Sequence, residues 1–283
     1  MTDAAAPAAA SKITTATLRA RKAGLKSGLE SAGEKTAIVT AYDVVFARLA
    51  DDAGIDAILV GDSLGMVVQG ERSTLPVSLD DMVYHARIVS RGVRRAHLIG
   101  DLPFMSYQAS IEDGMRAAGR LMKEGRVEAV KLEGGVEVAE LVRRLVRAGI
   151  PVMGHVGLTP QSIHQFGGFK VQGRTQDQRA RILDDARAIA DAGAYAMVLE
   201  AVPHALAAEI TSAVPVLTIG IGAGPACDGQ VMVMHDLLGL EPAWKPRFVR
   251  RYAEMGKAVG DAFAAYAADV RAGRFPSDQE SYE

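Results

Sequence analysis

Eight short runs rich in Val, Ile and Leu, most of them separated by a helical pattern that closes on glycine, constrain the fold of this chain more than any other feature. The runs cover 37–42, 57–61, 97–102, 129–133, 151–156, 194–200, 214–219 and 229–234. Amphipathic stretches over 44–54, 79–92, 111–125, 136–149 and 177–193 end at Gly54, Gly92, Gly125, Gly149 and Gly193, where a left-handed glycine closes a helix at low cost. Ser78 with Asp81 and Ser110 with Asp113 have the spacing of capping boxes. Uninterrupted apolar strands alternating with helices belong in a parallel sheet whose outer face is covered. Eight such units predict a closed (β/α)8 TIM barrel, with an open doubly wound sheet as the alternative. Acids at the ends of several strands favour the barrel, because a common axis lets them converge on one point.

A length of 283 residues suits one barrel. Residues 13–283 are expected to form a single domain ending in a helix, and residues 1–12, small and Ala-rich, a disordered tail without the basic and bulky apolar segments of a secretion signal. The 32 basic and 34 acidic residues are interspersed, which argues against nucleic acid or an anionic membrane as a partner. The lone cysteine, Cys227, excludes an internal disulfide and a multi-cysteine metal cage. No apolar stretch approaches the roughly 20 residues of a membrane-spanning helix, so a soluble cytoplasmic protein is expected.

The segment 246–273 reads as a helix with Phe248, Tyr252, Met255, Val259, Phe263 and Tyr266 at three- and four-residue steps, packed on the barrel or on a neighbouring subunit. Two glycine-bearing segments, 63–76 and 157–176, are too long for ordinary turns and suit the covering of a pocket. The cluster over 220–224 resembles a phosphate loop only superficially, since Lys-Ser/Thr does not follow it, and is read as tight packing at the barrel rim.

Four carboxylates, Asp62, Asp101, Glu133 and Glu200, close apolar runs where ligands meet parallel strands. Asp62 and Asp101 share an apolar-apolar-Gly-Asp setting. Two such groups in a dry pocket repel, so one must protonate or a cation must bridge them, and Mg²⁺ takes hard oxygen ligands of this kind. Helix N-capping is the alternative for each. Lys131 and Glu133, two apart, share a strand face, and a lysine in a barrel lumen requires an anion. A buried Lys-Glu pair and a Schiff-base lysine are both open readings. Glu200, set among apolar neighbours, is expected to act as a general base; pairing with Lys131 or an arginine is its alternative. His155 faces the lumen with Met153, as a core hydrogen-bonder or as a donor to a developing oxyanion.

These residues lie in a longer ordered set: TAYD at 40–43, VGDSLGMVVQG at 60–70, STLPV at 73–77, DLPFMSY at 101–107, VKLEGG at 130–135, GHVGLTPQS at 154–162, FGGFKVQGR at 166–174, LEAVP at 199–203, IGIGAG at 219–224 and DGQVMVMHD at 228–236. With these motifs the chain closely resembles the ketopantoate hydroxymethyltransferase family from about residue 14 to the final helix, departing from it in the N-terminal extension and around Pro225-Ala-Cys227. The resemblance implies a barrel of the phosphoenolpyruvate/pyruvate type that transfers a one-carbon unit from 5,10-methylenetetrahydrofolate to 3-methyl-2-oxobutanoate, giving 2-dehydropantoate on the way to pantothenate and coenzyme A. By motif it assigns Asp62, Asp101 and Glu133 to Mg²⁺, Ser63, Lys131 and the two aspartates to the keto acid, Glu200 to the general base and His155 to polarisation of the substrate. It implies a large homo-oligomer, commonly a homodecamer. The alternative enzyme is an Mg²⁺-dependent 2-oxo acid lyase of the isocitrate lyase type, whose catalytic cysteine in a Lys-Cys-Gly-His setting has no counterpart around Cys227. A non-catalytic binder on the same barrel would be expected to lack one of the acids.

Overall fold

Eight parallel strands hydrogen-bond in sequence order and close on themselves: β1 (Thr36–Thr40), β2 (Ala57–Val60), β3 (His97–Asp101), β4 (Ala129–Lys131), β5 (Val152–Gly157), β6 (Ala196–Glu200), β7 (Leu217–Ile221) and β8 (Gly229–Met232). The computed structural model describes residues 11–27, 33–241 and 246–282. The closed barrel is therefore the fold, and the open sheet is excluded. Strand β7 starts later than the sequence predicts because Val214 serves as the C-cap of the preceding helix, donating its N–H to Ile210 O, and Pro215 follows it without an N–H to give.

The helices are α1 (Thr15–Ser27), α2 (Val44–Asp52), α3 (Leu64–Val67), α4 (Leu79–Val89), α5 (Ile111–Arg120), α6 (Ala139–Arg147), α7 (Ile163–Phe166), α8 (Gln176–Asp191), α9 (His204–Ala213), α10 (Met234–Leu238) and α11 (Met255–Arg271). The capping box at Ser78 is complete. At Ser110 it is half formed: the hydroxyl accepts from Asp113 N, but the Asp113 carboxylate turns to that hydroxyl instead of the backbone N–H. Gly54, Gly149 and Gly193 adopt positive φ as expected. Gly92 and Gly125 do not. A Cβ on Gly92 would meet Val44 O at 2.6 Å, so this glycine permits close packing on α2. After α5 the helix widens into one π turn, Leu121–Gly125, and Arg126 takes the left-handed position.

Strand parity builds the lumen, since residues two apart share a face. Ile38, Leu59, Ile99, Met153, Val198, Ile219 and Val231 belong to one buried cluster. Ile13 and Leu18 join it from the N-terminal segment, and Ile13 N donates to Arg95 O just before β3, so this segment floors the barrel at the start of its strands. Helix α1, which the strand-and-glycine pattern did not foresee, is tied down by a buried ion pair: Lys22 Nζ lies 2.7 Å from Asp228 Oδ2, which also accepts from Thr218. Most of the predicted tail, 1–12, falls outside the described residues; Lys12 pairs with Glu128 at 2.8 Å.

The chain divides into two units, Met1–Val231 and Met232–Glu283. The second holds α10, α11 and a ring contact between Tyr266 and Phe275. Its long helix starts at Met255, so Phe248 and Tyr252 precede it, and none of its residues is buried; Phe263 is 70% and Tyr266 57% exposed. Among the described residues no helix is long and apolar enough to cross a membrane.

Candidate active site

The faces that carry the apolar lumen residues carry polar ones at their C-terminal ends. Asp101 follows Ile99 by two positions, Lys131 and Glu133 follow Ala129, His155 follows Met153, and Glu200 follows Val198. Asp62 stands in the turn after β2, where its backbone N–H reaches Asp101 Oδ2 at 3.3 Å. Asp62, Asp101, Lys131, Glu133 and His155 are all buried. The seven residues expected in the site divide into one contiguous set of six and Ser63, which turns to Tyr42: its Oγ lies 2.8 Å from the phenol oxygen.

Lys131 Nζ donates to both oxygens of Asp101, at 2.6 and 2.8 Å. Neither aspartate caps a helix: the Asp62 carboxylate accepts from Gln161 Nε2 at 2.8 Å, and Asp101 is held by Lys131, which removes the N-cap alternative. His155 stands between two acids, with Nδ1 3.6 Å from Glu133 Oε1 and Nε2 3.3 Å from Glu200 Oε2, neither aligned as a hydrogen bond. Glu133 Oε2 accepts from Gln161 N at 3.0 Å, while its Oε1 is buried with no hydrogen-bond partner.

Burial first, and then the charge of Asp101, pushes the Asp62 carboxyl up to about 7. Glu133 is raised well above the ordinary range by burial and by Asp62. For Lys131 burial works downward, but Asp101, Glu133 and Asp62 outweigh it and raise the ammonium above its ordinary value. A lysine held protonated in this way is a poor amine nucleophile, which argues against the Schiff-base reading. Burial, followed by Lys131, lowers His155 and favours the neutral imidazole, with Glu200 opposing. Three buried carboxyl groups thus face one buried ammonium, so two of them must hold a proton or share a cation.

Two residues of the site carried no weight in the sequence reading. Gln161 sits in the 3-10 turn after β5, and Tyr107 OH accepts from Glu133 N at 3.1 Å. Both lie inside motifs quoted above, but an amide and a phenol do not announce a role without their partners. Beside them a cavity of about 390 Å³ is lined by Phe104, Tyr107, Glu133, Gln161, Phe166 and Asp185, so the long 157–176 segment does line a pocket. The rim cluster is tightly packed: a Cβ on Gly220 would lie 2.9 Å from the Gln230 amide and 3.1 Å from Cys227 Sγ.

The chain is similar to proteins already known. A 3-methyl-2-oxobutanoate hydroxymethyltransferase from Anaeromyxobacter sp. (strain K) is 57% identical over 258 residues, which cover 90% of this chain and 84% of the relative. One from Carboxydothermus hydrogenoformans is 53% identical over 254 residues, covering 90% and 92%. Among solved structures, 2,3-dimethylmalate lyase, a PEP mutase/isocitrate lyase superfamily member, superposes with a TM-score of 0.56 over 93% of this chain and 92% of its own, at 21% identity. Phosphoenolpyruvate phosphomutase from Streptomyces platensis subsp. rosaceus gives 0.59 over 92% and 88%, at 16%. These two likenesses are of fold alone. The sequence profile of ketopantoate hydroxymethyltransferase matches residues 15–278, a span that contains the four acids, Lys131 and His155, and the chain belongs to that family.

Proposed function

We propose that the mouth of the barrel holds the keto acid and a divalent cation for the family's reaction, with Glu200 as the base. The chain is a hydroxymethyltransferase of pantothenate biosynthesis that acts on 3-methyl-2-oxobutanoate. The observation that carries the site assignment is the convergence of Asp62, Asp101 and Glu133 in a buried pocket with one lysine, leaving Glu133 Oε1 without a partner.

The donor set fits Mg²⁺. All its groups are hard oxygens, their charges repel, and Asp62 and Glu133 are both pushed toward protonation by burial and by the neighbouring acids. Among the described residues no three His, Cys, Asp or Glu side chains form a ready cage, so water and substrate would have to fill the rest of the ion's shell. Asp62 and Glu133 would hold it, with Asp101 beside them. Bound there, Mg²⁺ supplies Lewis acidity toward the carbonyl of a 2-oxo acid.

The chain's own groups do the rest. Lys131, kept protonated, binds the substrate carboxylate and orients it. Glu200, on the lumen face of β6, takes the proton from C3, and His155, neutral and 3.3 Å from it, donates toward the carbonyl oxygen. The cavity beside Glu133 gives the one-carbon donor, 5,10-methylenetetrahydrofolate, room to approach. The exposed apolar stripe of α11, with Phe263 and Tyr266, supports assembly into a homo-oligomer, and we read the protein as cytoplasmic.

The test is exchange of the C3 hydrogen of 3-methyl-2-oxobutanoate for deuterium, followed by NMR with and without Mg²⁺. Metal-dependent exchange is expected. Equal exchange after chelation would remove the cation from the reading.

A further inference from the structure

We propose that Gln161 is the positioning residue that decides which oxygens of Asp62 and Glu133 are offered to a divalent cation, an inference that rests on the cation reading above. The amide is buried, 5% exposed, and every hydrogen-bonding position it has is used. Nε2 donates to Asp62 Oδ2 at 2.8 Å and to Leu102 O at 2.9 Å. Oε1 accepts from Gln108 Nε2 at 2.9 Å and lies 2.9 Å from Tyr107 OH. A primary amide has two donor hydrogens and two acceptor positions, so the set is complete. Turning the amide over would aim its oxygen at a carboxylate and a carbonyl and its NH₂ at another NH₂, so the orientation is fixed.

The same residue holds the second acid through its backbone, since Gln161 N donates to Glu133 Oε2 at 3.0 Å. Tyr107 closes the loop. Its oxygen accepts from Glu133 N at 3.1 Å and stands 2.9 Å from both Glu133 O and Gln161 Oε1, so its one proton serves either acceptor. One oxygen of each acid is therefore tied to Gln161. The other oxygen of Glu133 has no partner, and the other oxygen of Asp62 is not held by Gln161.

The three acids are thereby treated differently. Asp101 receives a full positive charge from Lys131. Asp62 and Glu133 receive only the hydrogens of a neutral amide, which orient a carboxylate without cancelling its charge. A lysine in place of Gln161 would bring a positive charge to Asp62, whereas glutamine aims its oxygen and leaves the charge uncancelled. Groups behind the ligands commonly tune a metal site in this manner, and their loss costs roughly 10–100-fold in affinity or activity.

The experiment titrates Mg²⁺ alone into chelator-treated full-length protein by calorimetry, comparing wild type with Gln161→Met, which keeps length and burial but removes the side-chain donors. Mg²⁺ affinity is expected to weaken roughly 10–100-fold, with kcat largely recovered at saturating Mg²⁺ while the Mg²⁺ requirement stays raised. A residue that merely fills space would lower the melting temperature and leave Mg²⁺ affinity unchanged, and unchanged affinity overturns the proposal. Should Gln161→Met fail to fold, Tyr107→Phe, which unpins Oε1, carries the same titration: weaker binding supports the clamp and wild-type binding overturns it. Wild-type protein that takes up no Mg²⁺ overturns the cation reading and this one together, whereas equal binding by wild type and variant overturns only the role of Gln161.

Discussion

Asp101 and Lys131 are register partners across β3 and β4, and the ammonium of the second lies 2.6 and 2.8 Å from the two carboxylate oxygens of the first. The closed sheet itself thus sets this pair opposite each other, and rotamers have only to bring the heads together. The pair is worth most as a unit, because removing one partner leaves a buried charge alone.

Lys131→Met keeps the volume and removes the charge. Stability measured by urea unfolding at pH 8 is expected to fall by about 3–5 kcal/mol, the range for a broken buried pair, and turnover is expected to be lost with it. Lys131→Arg is not expected to rescue turnover, since a planar fork cannot replace a point charge in a site of this size. Full activity in either variant would show that the substrate carboxylate is held elsewhere.

Glu200→Gln keeps the shape of the proposed base without its basicity. Loss of C3 exchange on the order of a hundredfold or more is expected, with KM for the keto acid changed far less. Exchange at the wild-type rate would assign the proton transfer to another group.

Gly157 is the register partner of Glu200 across β5 and β6. Its φ is +98°, and a Cβ there would stand 2.5 Å from Glu200 O, so the backbone carrying the proposed base packs directly on this glycine. Gly157→Ala is expected to lower stability by about 1–3 kcal/mol through the forced φ, and to depress kcat by moving Glu200. An alanine variant with normal kcat would show that the base tolerates displacement.

Asp62 links the site to pH. Its ordinary value is 3.8 and its folded value about 7, so between these limits the folded protein keeps a proton that the unfolded chain has released. Stability of the chelator-treated protein is therefore expected to be highest near pH 4 as far as this group is concerned, and to fall as pH rises to about 7. Glu133, raised in the same direction, adds to the fall. Mg²⁺ replaces the proton and should flatten the slope, which thermal unfolding at several pH values would reveal.

The barrel was legible because each of its signals is local. A strand buried on both faces must be apolar along its length, and a helix end must satisfy its carbonyls, so the Val/Ile/Leu runs and most of the glycines spoke for themselves. Positions two apart placed Glu133 with Lys131 and His155 with Met153. What stayed hidden depends on partners far along the chain. Gln161 is an ordinary residue in a turn until Asp62, 99 residues away, is seen on its amide. Helix α1 was missed because its apolar anchor is small, Leu18 packing beside Ile13, and its other tether is a single lysine to Asp228. The positive Arg126 where Gly125 was expected reflects a π turn, which no spacing rule signals.

Ile13 and Leu18, by closing the floor, turn the lumen into a cul-de-sac. Both substrates and both products would then use the same doorway, and on the proposed reading, with Lys131 and the acids holding the keto acid, the keto acid is expected to arrive before its donor and depart after the spent folate. A compulsory order of addition and release would show in product inhibition: the hydroxymethylated acid should compete with the keto acid for the empty barrel, while the folate product should give mixed inhibition against both substrates.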